Sequence, residues 1–112
     1  MSLTFYRVCQ SDPPSLRDFV PAKLLQPERP PPSNPQHREL WETGVSVFAK
    51  EEQARKKARG WEPRFPLGEY IACLVVPEGT PIIAEKTLSQ GHHTLRGDPD
   101  TMLACVVSTV PV

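Results

Sequence analysis

The chain has 112 residues, with 13 Lys and Arg against 13 Asp and Glu, so its formal net charge is zero. This length allows a single domain, residues 1–112. The balanced charge excludes the basic excess that non-specific binding to nucleic acid or to an anionic membrane requires. Apolar residues make up 38% of the chain, below the usual share of about 45–50%, and the 14 prolines account for most of the deficit.

The three cysteines, Cys9, Cys73 and Cys105, lie in apolar strand-like runs without CxxC spacing. This pattern predicts small buried side chains in a reducing compartment. The N-terminal residues lack the charged and apolar regions of a signal peptide. No apolar run approaches the roughly 20 residues of a membrane span. We therefore expect a cytoplasmic protein.

The N-terminal third combines a strand with a long proline-rich segment. Residues 3–9, LTFYRVC, are rich in aromatic and β-branched types and predict a strand that ends before two prolines. Ser15 is a candidate cap for one helical turn. Prolines remove backbone donors and fix φ, so residues 20–39 predict a long loop that crosses one face or forms a lid. Its PPP run is also compatible with polyproline recognition by a protein partner.

A compact strand and helix follow. Residues 44–48, GVSVF, predict the second strand, and residues 50–60 predict the main helix, in which acidic residues precede basic ones. Only Ala54 and Ala58 face inward in this helix. Its basic residues predict a solvated face, and contact with phosphate is the alternative interpretation; they are Arg55, Lys56, Lys57 and Arg59.

The C-terminal half predicts further strands. Residues 69–77, EYIACLVVP, are apolar on both faces and predict a central strand. Residues 81–87 predict a short strand, residues 91–100 a turn-rich connection that leads into a single helical turn, and residues 105–112 the last strand.

Together these elements predict a small α+β domain. Its sheet is mostly antiparallel with about five strands, and it carries one main helix and the long proline-rich loop. Pro111 places the last strand at an edge of the sheet.

The histidines do not have the spacing of a metal site. His92 and His93 are adjacent, so in a strand they would point to opposite faces, and His37 is distant in sequence. Because zinc sites need about four ligands at suitable spacing, we predict no metal site. His92 and His93 are structural or turn residues, or one of them acts in a cleft as a base or hydrogen-bond donor.

Arg7 and Ser46 are the polar residues of most interest in the first two strands. Arg7 lies mid-strand and either faces solvent or presents its fork of donors to a phosphate or carboxylate in a cleft. Ser46, beside Gly44, is either a half-exposed strand residue or part of the same cleft.

This arrangement resembles the ADP-ribosyltransferase family in its Arg–Ser–Glu form. Tyr6-Arg7 is similar to the family's first strand, GVSVF to its serine strand, and EEQARKKA to the helix that follows. The resemblance implies that Arg7 holds the phosphate or ribose of NAD and that Ser46 orients the ribose. Glu85 is the one late-strand candidate for the catalytic glutamate. The order of motifs also resembles that of small uncharacterised bacterial proteins.

Two functions follow as hypotheses. Because the family's late Glu-x-Glu or Gln-x-Glu pair is missing, the first is a non-catalytic protein-interaction module that binds a partner through the proline-rich loop. The alternative is an NAD-binding ADP-ribosyltransferase or NAD glycohydrolase, in which Arg7 and Ser46 bind the cofactor and Glu85 and His92 are catalytic. Three aromatic residues near the loop are either core or anchors for a partner: Trp41, Trp61 and Phe65.

Overall fold

The computed structural model describes residues 2–25, 27–28, 30–59, 68–87 and 91–112. Its strands are β1 (Leu3–Cys9), β2 (Val45–Phe48), β3 (Tyr70–Val76), β4 (Ile83–Lys86), β5 (His92–Arg96) and β6 (Val106–Pro111). A 3₁₀ helix spans Leu16–Phe19, and the α-helices are α1 (Ala22–Leu25), α2 (Pro35–Thr43), α3 (Glu51–Arg59) and α4 (Pro99–Ala104).

The described strands form one antiparallel sheet in the order β4-β5-β2-β1-β3-β6. The α+β class and the antiparallel sheet are confirmed, as is the position of the Pro111 strand at an edge. The prediction of a turn-rich connection over residues 91–100 is wrong, because His92–Arg96 form strand β5. The described sheet therefore has six strands instead of about five. The ends of β5 coincide with Gly91 and Gly97, whose positive φ angles suit only glycine.

The two faces of the sheet bury different cores. One face carries Phe5, Val47 and Leu74 against the 3₁₀ helix and α4. The other packs Phe48 and Ile71 against α3. This division follows from strand alternation, because successive side chains point to opposite faces.

Helix α3 has the predicted packing. Ala54 and Ala58 are fully buried, so their small side chains let the helix lie close to the sheet. The Arg55 side chain contacts Glu51 at 3.2 Å, the expected i,i+4 ion pair. Residue 60, the last of the predicted helix, lies outside the described residues, as do Trp61 and Phe65.

The proline-rich segment is not one continuous loop, which corrects the prediction for residues 20–39. Helix α1 lies within the segment, and α2 begins at Pro35. The Asn34 side chain caps α2 by accepting from the main-chain N–H groups of Gln36 and His37. A proline at the first helical position is tolerated, because the N–H that it lacks would have no partner within the helix.

Two further findings concern the described residues. None of their helices is both long enough and apolar enough to cross a membrane. Cys9, Cys73 and Cys105 are free thiols, of which Cys9 and Cys105 are buried. Burial raises the pKa of Cys9 to about 12, so this thiol is not a ready nucleophile.

Candidate functional site

The sheet has a seam between β1 and β2. Strand β1 pairs with β3 along its whole length, from Leu3 to Cys9. With β2 it pairs at one position only, Tyr6 opposite Phe48. On the carboxyl side of Tyr6 the two strands separate, and a side-chain hydrogen bond replaces main-chain pairing between them.

That side chain is Arg7. Its Nη1 donates to the main-chain oxygen of Ser46 at 2.6 Å, and its Nε donates to the main-chain oxygen of Asp18 at 2.9 Å. These bonds use two of the five N–H donors of a guanidinium. Arg7 therefore ties β1 to both β2 and the 3₁₀ helix.

No carboxylate of the described residues lies within ion-pair distance of Arg7. The nearby Asp18 carboxylate instead accepts from the main-chain N–H groups of Gln10 and Ser15, each at 2.9 Å. Desolvation lowers the pKa of Arg7, although the nearby Cys9 and Asp18 act in the opposite direction. An arginine nevertheless keeps its charge at neutral pH.

Ser46 and His92 belong to a second hydrogen-bonded group. The Ser46 Oγ lies 2.9 Å from His92 Nε2. On the other side of the ring, His92 Nδ1 lies 3.2 Å from the main-chain oxygen of Thr87 and 3.1 Å from its Oγ. The Thr87 hydroxyl is also 2.7 Å from the Thr94 hydroxyl. Polar contacts thus occupy both ring nitrogens of a histidine that is only 5% exposed.

The surroundings of His92 favour the neutral imidazole. Desolvation is the largest cause that lowers its pKa, and the charges of Lys57, His93 and His37 act in the same direction. The hydrogen bond to the Thr87 main chain opposes them. His92 is therefore mainly neutral at pH 7 and can accept a proton.

His93 faces the opposite side of the sheet, as expected for adjacent strand residues. Its ring packs against Phe5 with 5.1 Å between centroids. Its Nδ1 is buried and has no hydrogen-bond partner among the described residues. His93 is thus a packing residue.

Arg7 and Ser46 line the same cavity, although strand alternation sends their side chains to opposite faces. The cavity measures about 350 Å³, and we call it the seam cleft. Two further cations, Arg17 and Lys57, lie along its wall. Because β1 and β2 separate here, the space opens toward both faces. The seam cleft therefore joins residues that an unbroken sheet would keep apart.

A second groove of about 240 Å³ adjoins the seam cleft and shares Arg7 and Ser46 with it. Leu40 and Trp41 of α2 line its apolar side. Trp41 is half-buried, and Lys23 Nζ lies 5.7 Å from the centroid of its ring. The groove thus places an apolar wall beside the cations.

Of the residues proposed from the sequence, Arg7, Ser46 and His92 are brought together and Glu85 is not. Glu85 is exposed on β4 and forms an ion pair with Arg96 at 2.7 Å. It does not line the seam cleft or the adjoining groove. Arg96 also binds Glu39 of α2 at 3.0 Å, so these contacts connect β5 with β4 and α2.

Sequence reasoning missed Arg17 and Thr87 as parts of the site. Arg17 lies in a short turn with no motif, and Thr87 acts partly through its main-chain oxygen, which no residue type signals. Lys57 had a signal in the basic cluster of α3, where phosphate contact was the alternative interpretation.

The described residues contain no group of three or more His, Cys, Asp or Glu side chains placed to hold a metal ion. Comparison with protein families, curated proteins and solved structures finds no match to the chain. The seam cleft is therefore the feature of this chain that points to a function.

Proposed function

We propose that this chain binds a phosphate-bearing nucleotide in the seam cleft, with NAD as the first ligand to test. The observation that carries the proposal is the charge of Arg7. It is held inside the seam by two main-chain oxygens, with no carboxylate of the described residues at ion-pair distance.

Asp18, a carboxylate that lines the same cleft, accepts from main-chain N–H groups and is not at ion-pair distance from Arg7. Arg17 and Lys57 also line the cleft, so three cations face this one carboxylate among the lining residues described. A phosphate group would add negative charge beside these cations and would accept from the guanidinium donors that remain. The electrostatics of the seam cleft thus favour an anion.

The size and lining of the site favour a nucleotide over a bare phosphate. A cavity of about 350 Å³ lies within the usual range of roughly 300–1,000 Å³ for small-molecule sites. The adjoining groove offers Leu40 and Trp41 to a base, beside the cations that would hold the phosphates. Arg7 on the first strand and Ser46 on the second also have the order seen in the ADP-ribosyltransferase family, which supports NAD as the first choice.

Calorimetric titration with NAD, ADP-ribose and inorganic phosphate at low salt tests the proposal. Lys57→Gln removes a cation of the cleft wall, and Lys56→Gln is its matched control because Lys56 does not line the cleft. We expect Lys57→Gln to weaken binding by about two- to fivefold, the effect of a partly exposed charge contact, and Lys56→Gln to change nothing. If no ligand binds at millimolar concentration, the proposal is wrong.

Release of nicotinamide, measured by chromatography, then distinguishes an enzyme that cleaves NAD from a protein that only binds it. Release that depends on Arg7 would indicate a glycohydrolase or ADP-ribosyltransferase, and tight binding without release a nucleotide-binding protein.

A second candidate function is a protein-interaction module, and the exposure of the proline-rich segment favours it. Pro30, Pro31, Ser33 and Asn34 are all exposed ahead of α2. Cross-linking in a cell extract would compare the natural chain with a variant carrying alanine at residues 30–32. A partner that only the natural chain captures would support this function, and identical patterns would contradict it.

A further inference from the structure

We infer that Ser46 and His92 form a nucleophile–base pair, and that the seam cleft transfers a phosphoryl-type group from a bound phosphoanhydride onto Ser46. The choice of a phosphoanhydride rests on the proposed nucleotide site. The pairing of Ser46 with His92 rests on their own geometry.

The contacts match the requirements of an activated serine. Such a site needs a hydroxyl within about 2.6–3.2 Å of a base that a third group orients. Here the Ser46 Oγ lies 2.9 Å from His92 Nε2. The third group is Thr87, which contacts the other ring nitrogen through its main-chain oxygen and its hydroxyl.

The contact with Thr87 selects the useful tautomer. A carbonyl oxygen only accepts, so the 3.2 Å contact with the Thr87 oxygen calls for the hydrogen on His92 Nδ1. Nε2 then has a free lone pair that accepts the Ser46 proton. The T-shaped packing of Phe48 against the ring, with centroids 5.4 Å apart, holds the imidazole in this orientation.

Ser46 also lies beside the space that a bound electrophile would occupy. It is half-buried and lines both the seam cleft and the adjoining groove. Arg7 binds its main-chain oxygen, so a guanidinium lies beside the reacting residue. Cations at this position stabilise the negative charge that develops on the oxygens of a phosphoryl group during transfer.

Transfer needs only the phosphoanhydride, and water completes the cycle. The Ser46 Oγ attacks phosphorus, its O–H bond breaks, and Nε2 takes the proton. The phosphoanhydride P–O bond opposite Oγ breaks, and the leaving phosphate departs as an anion. Water then attacks the seryl ester from that opposite side and loses one proton to solvent, the ester P–O bond breaks, and Nε2–H returns its proton to the Ser46 Oγ.

A fluorophosphonate probe tests the pair, because it reacts with serine hydroxyls that a base activates and releases fluoride. Labelled sites would be mapped by peptide mass spectrometry. We expect labelling of Ser46 that is lost in Ser46→Ala and falls by about 10²- to 10⁴-fold in His92→Gln, the usual contribution of a general base. Ser108→Ala, an exposed serine on β6, is the matched control and should not alter labelling.

The dependence of the labelling rate on pH is measured on the natural chain, so this test holds even if a variant folds poorly. The labelling rate should rise with pH as His92 loses its proton, and the midpoint of this rise should lie below the ordinary histidine pKa of about 6.5. Melting curves of His92→Gln show whether that variant is folded, and His92→Phe, which keeps packing against Phe48, is the second variant.

The outcomes separate this inference from the proposed function. No labelling of Ser46 above that of urea-unfolded protein overturns the inference, even if NAD binds. Equal labelling in folded His92→Gln overturns the role of His92 as base. Labelling that depends on His92 while no nucleotide binds supports the pair and overturns the nucleotide proposal. Protection of Ser46 by bound ADP-ribose supports both.

Discussion

Replacing Arg7 with methionine should remove most of the stabilisation of the protein by nucleotide. Methionine keeps an unbranched stem in the seam but removes the charge. In the natural chain, ligand at about ten times its Kd adds roughly 1.4 kcal/mol of stability. For a domain of this size that corresponds to a rise in melting temperature of about 6 °C, at about 4 °C per kcal/mol.

The size of the loss follows from the donors of Arg7. Two of its N–H groups bind Ser46 and Asp18, so the others remain for a phosphate. Loss of one charge-assisted hydrogen bond, about 1.5–3 kcal/mol, weakens binding roughly 10- to 100-fold. At the same ligand concentration the stabilisation then falls to about 0.4 kcal/mol or less, and the melting shift to below about 2 °C.

Thermal melts with and without NAD or ADP-ribose measure this shift. Because each variant is its own reference, a change in its intrinsic stability does not enter the difference. Arg38→Met, an exposed arginine of α2 outside the cleft, is the matched control and should keep the full shift. An undiminished shift in Arg7→Met would refute the assignment of Arg7 as the phosphate-binding residue.

The remaining predictions concern three other positions. The lowered pKa of His92 means that the unfolded chain binds more protons near pH 6, so stability should fall as pH drops below about 6.5 through that lowered pKa. Urea midpoints should show this loss in the natural chain and less of it in His92→Gln, and equal losses would contradict it. Gly44→Ala should destabilise by about 1–3 kcal/mol despite an ordinary φ, because its Cβ would overlap the Thr94 methyl group; an unchanged melting temperature would show that the strands adjust. Glu85→Gln should cost less than about 1 kcal/mol, because its pair with Arg96 is exposed, and should leave the Kd for NAD unchanged. Nicotinamide release that depends on Glu85 would instead restore the catalytic role that the sequence suggested.

The sequence predicts the elements whose own residues have the pattern of a strand or a helix. Residues 3–9 and 69–77 have the composition of strands, and the alanine spacing of α3 matches its buried stripe. Strand β5 has no local signal, because His92 and Thr94 are polar and their side-chain partners, Ser46 and Thr87, lie in other segments of the chain. Helix α2 does have a local signal, because Asn34 followed by Pro35 is a normal helix start. Prolines interrupt a helix only when they lie inside it.

The candidate site shows where sequence reasoning ends. Arg7 and Ser46 were paired as possible cofactor contacts, and the structure brings both to one cleft. The reason lies in the single pairing of Tyr6 with Phe48, which depends on contacts far apart in the sequence. No local pattern of β1 or β2 reports that the strands separate after this position.

The seam also divides the sheet into two units of three strands, β4-β5-β2 and β1-β3-β6. The two units are joined by one strand pairing and by the hydrogen bond from the Arg7 side chain to the Ser46 main-chain oxygen, and α3 packs on strands from both sides. A ligand bound across the seam would therefore act as a clamp. In amide hydrogen exchange, we expect β1 and β3 to be protected as one cooperative unit and β2 and β5 as another. Ligand should slow the opening of the two units relative to each other, and Lys57→Gln should reduce that effect.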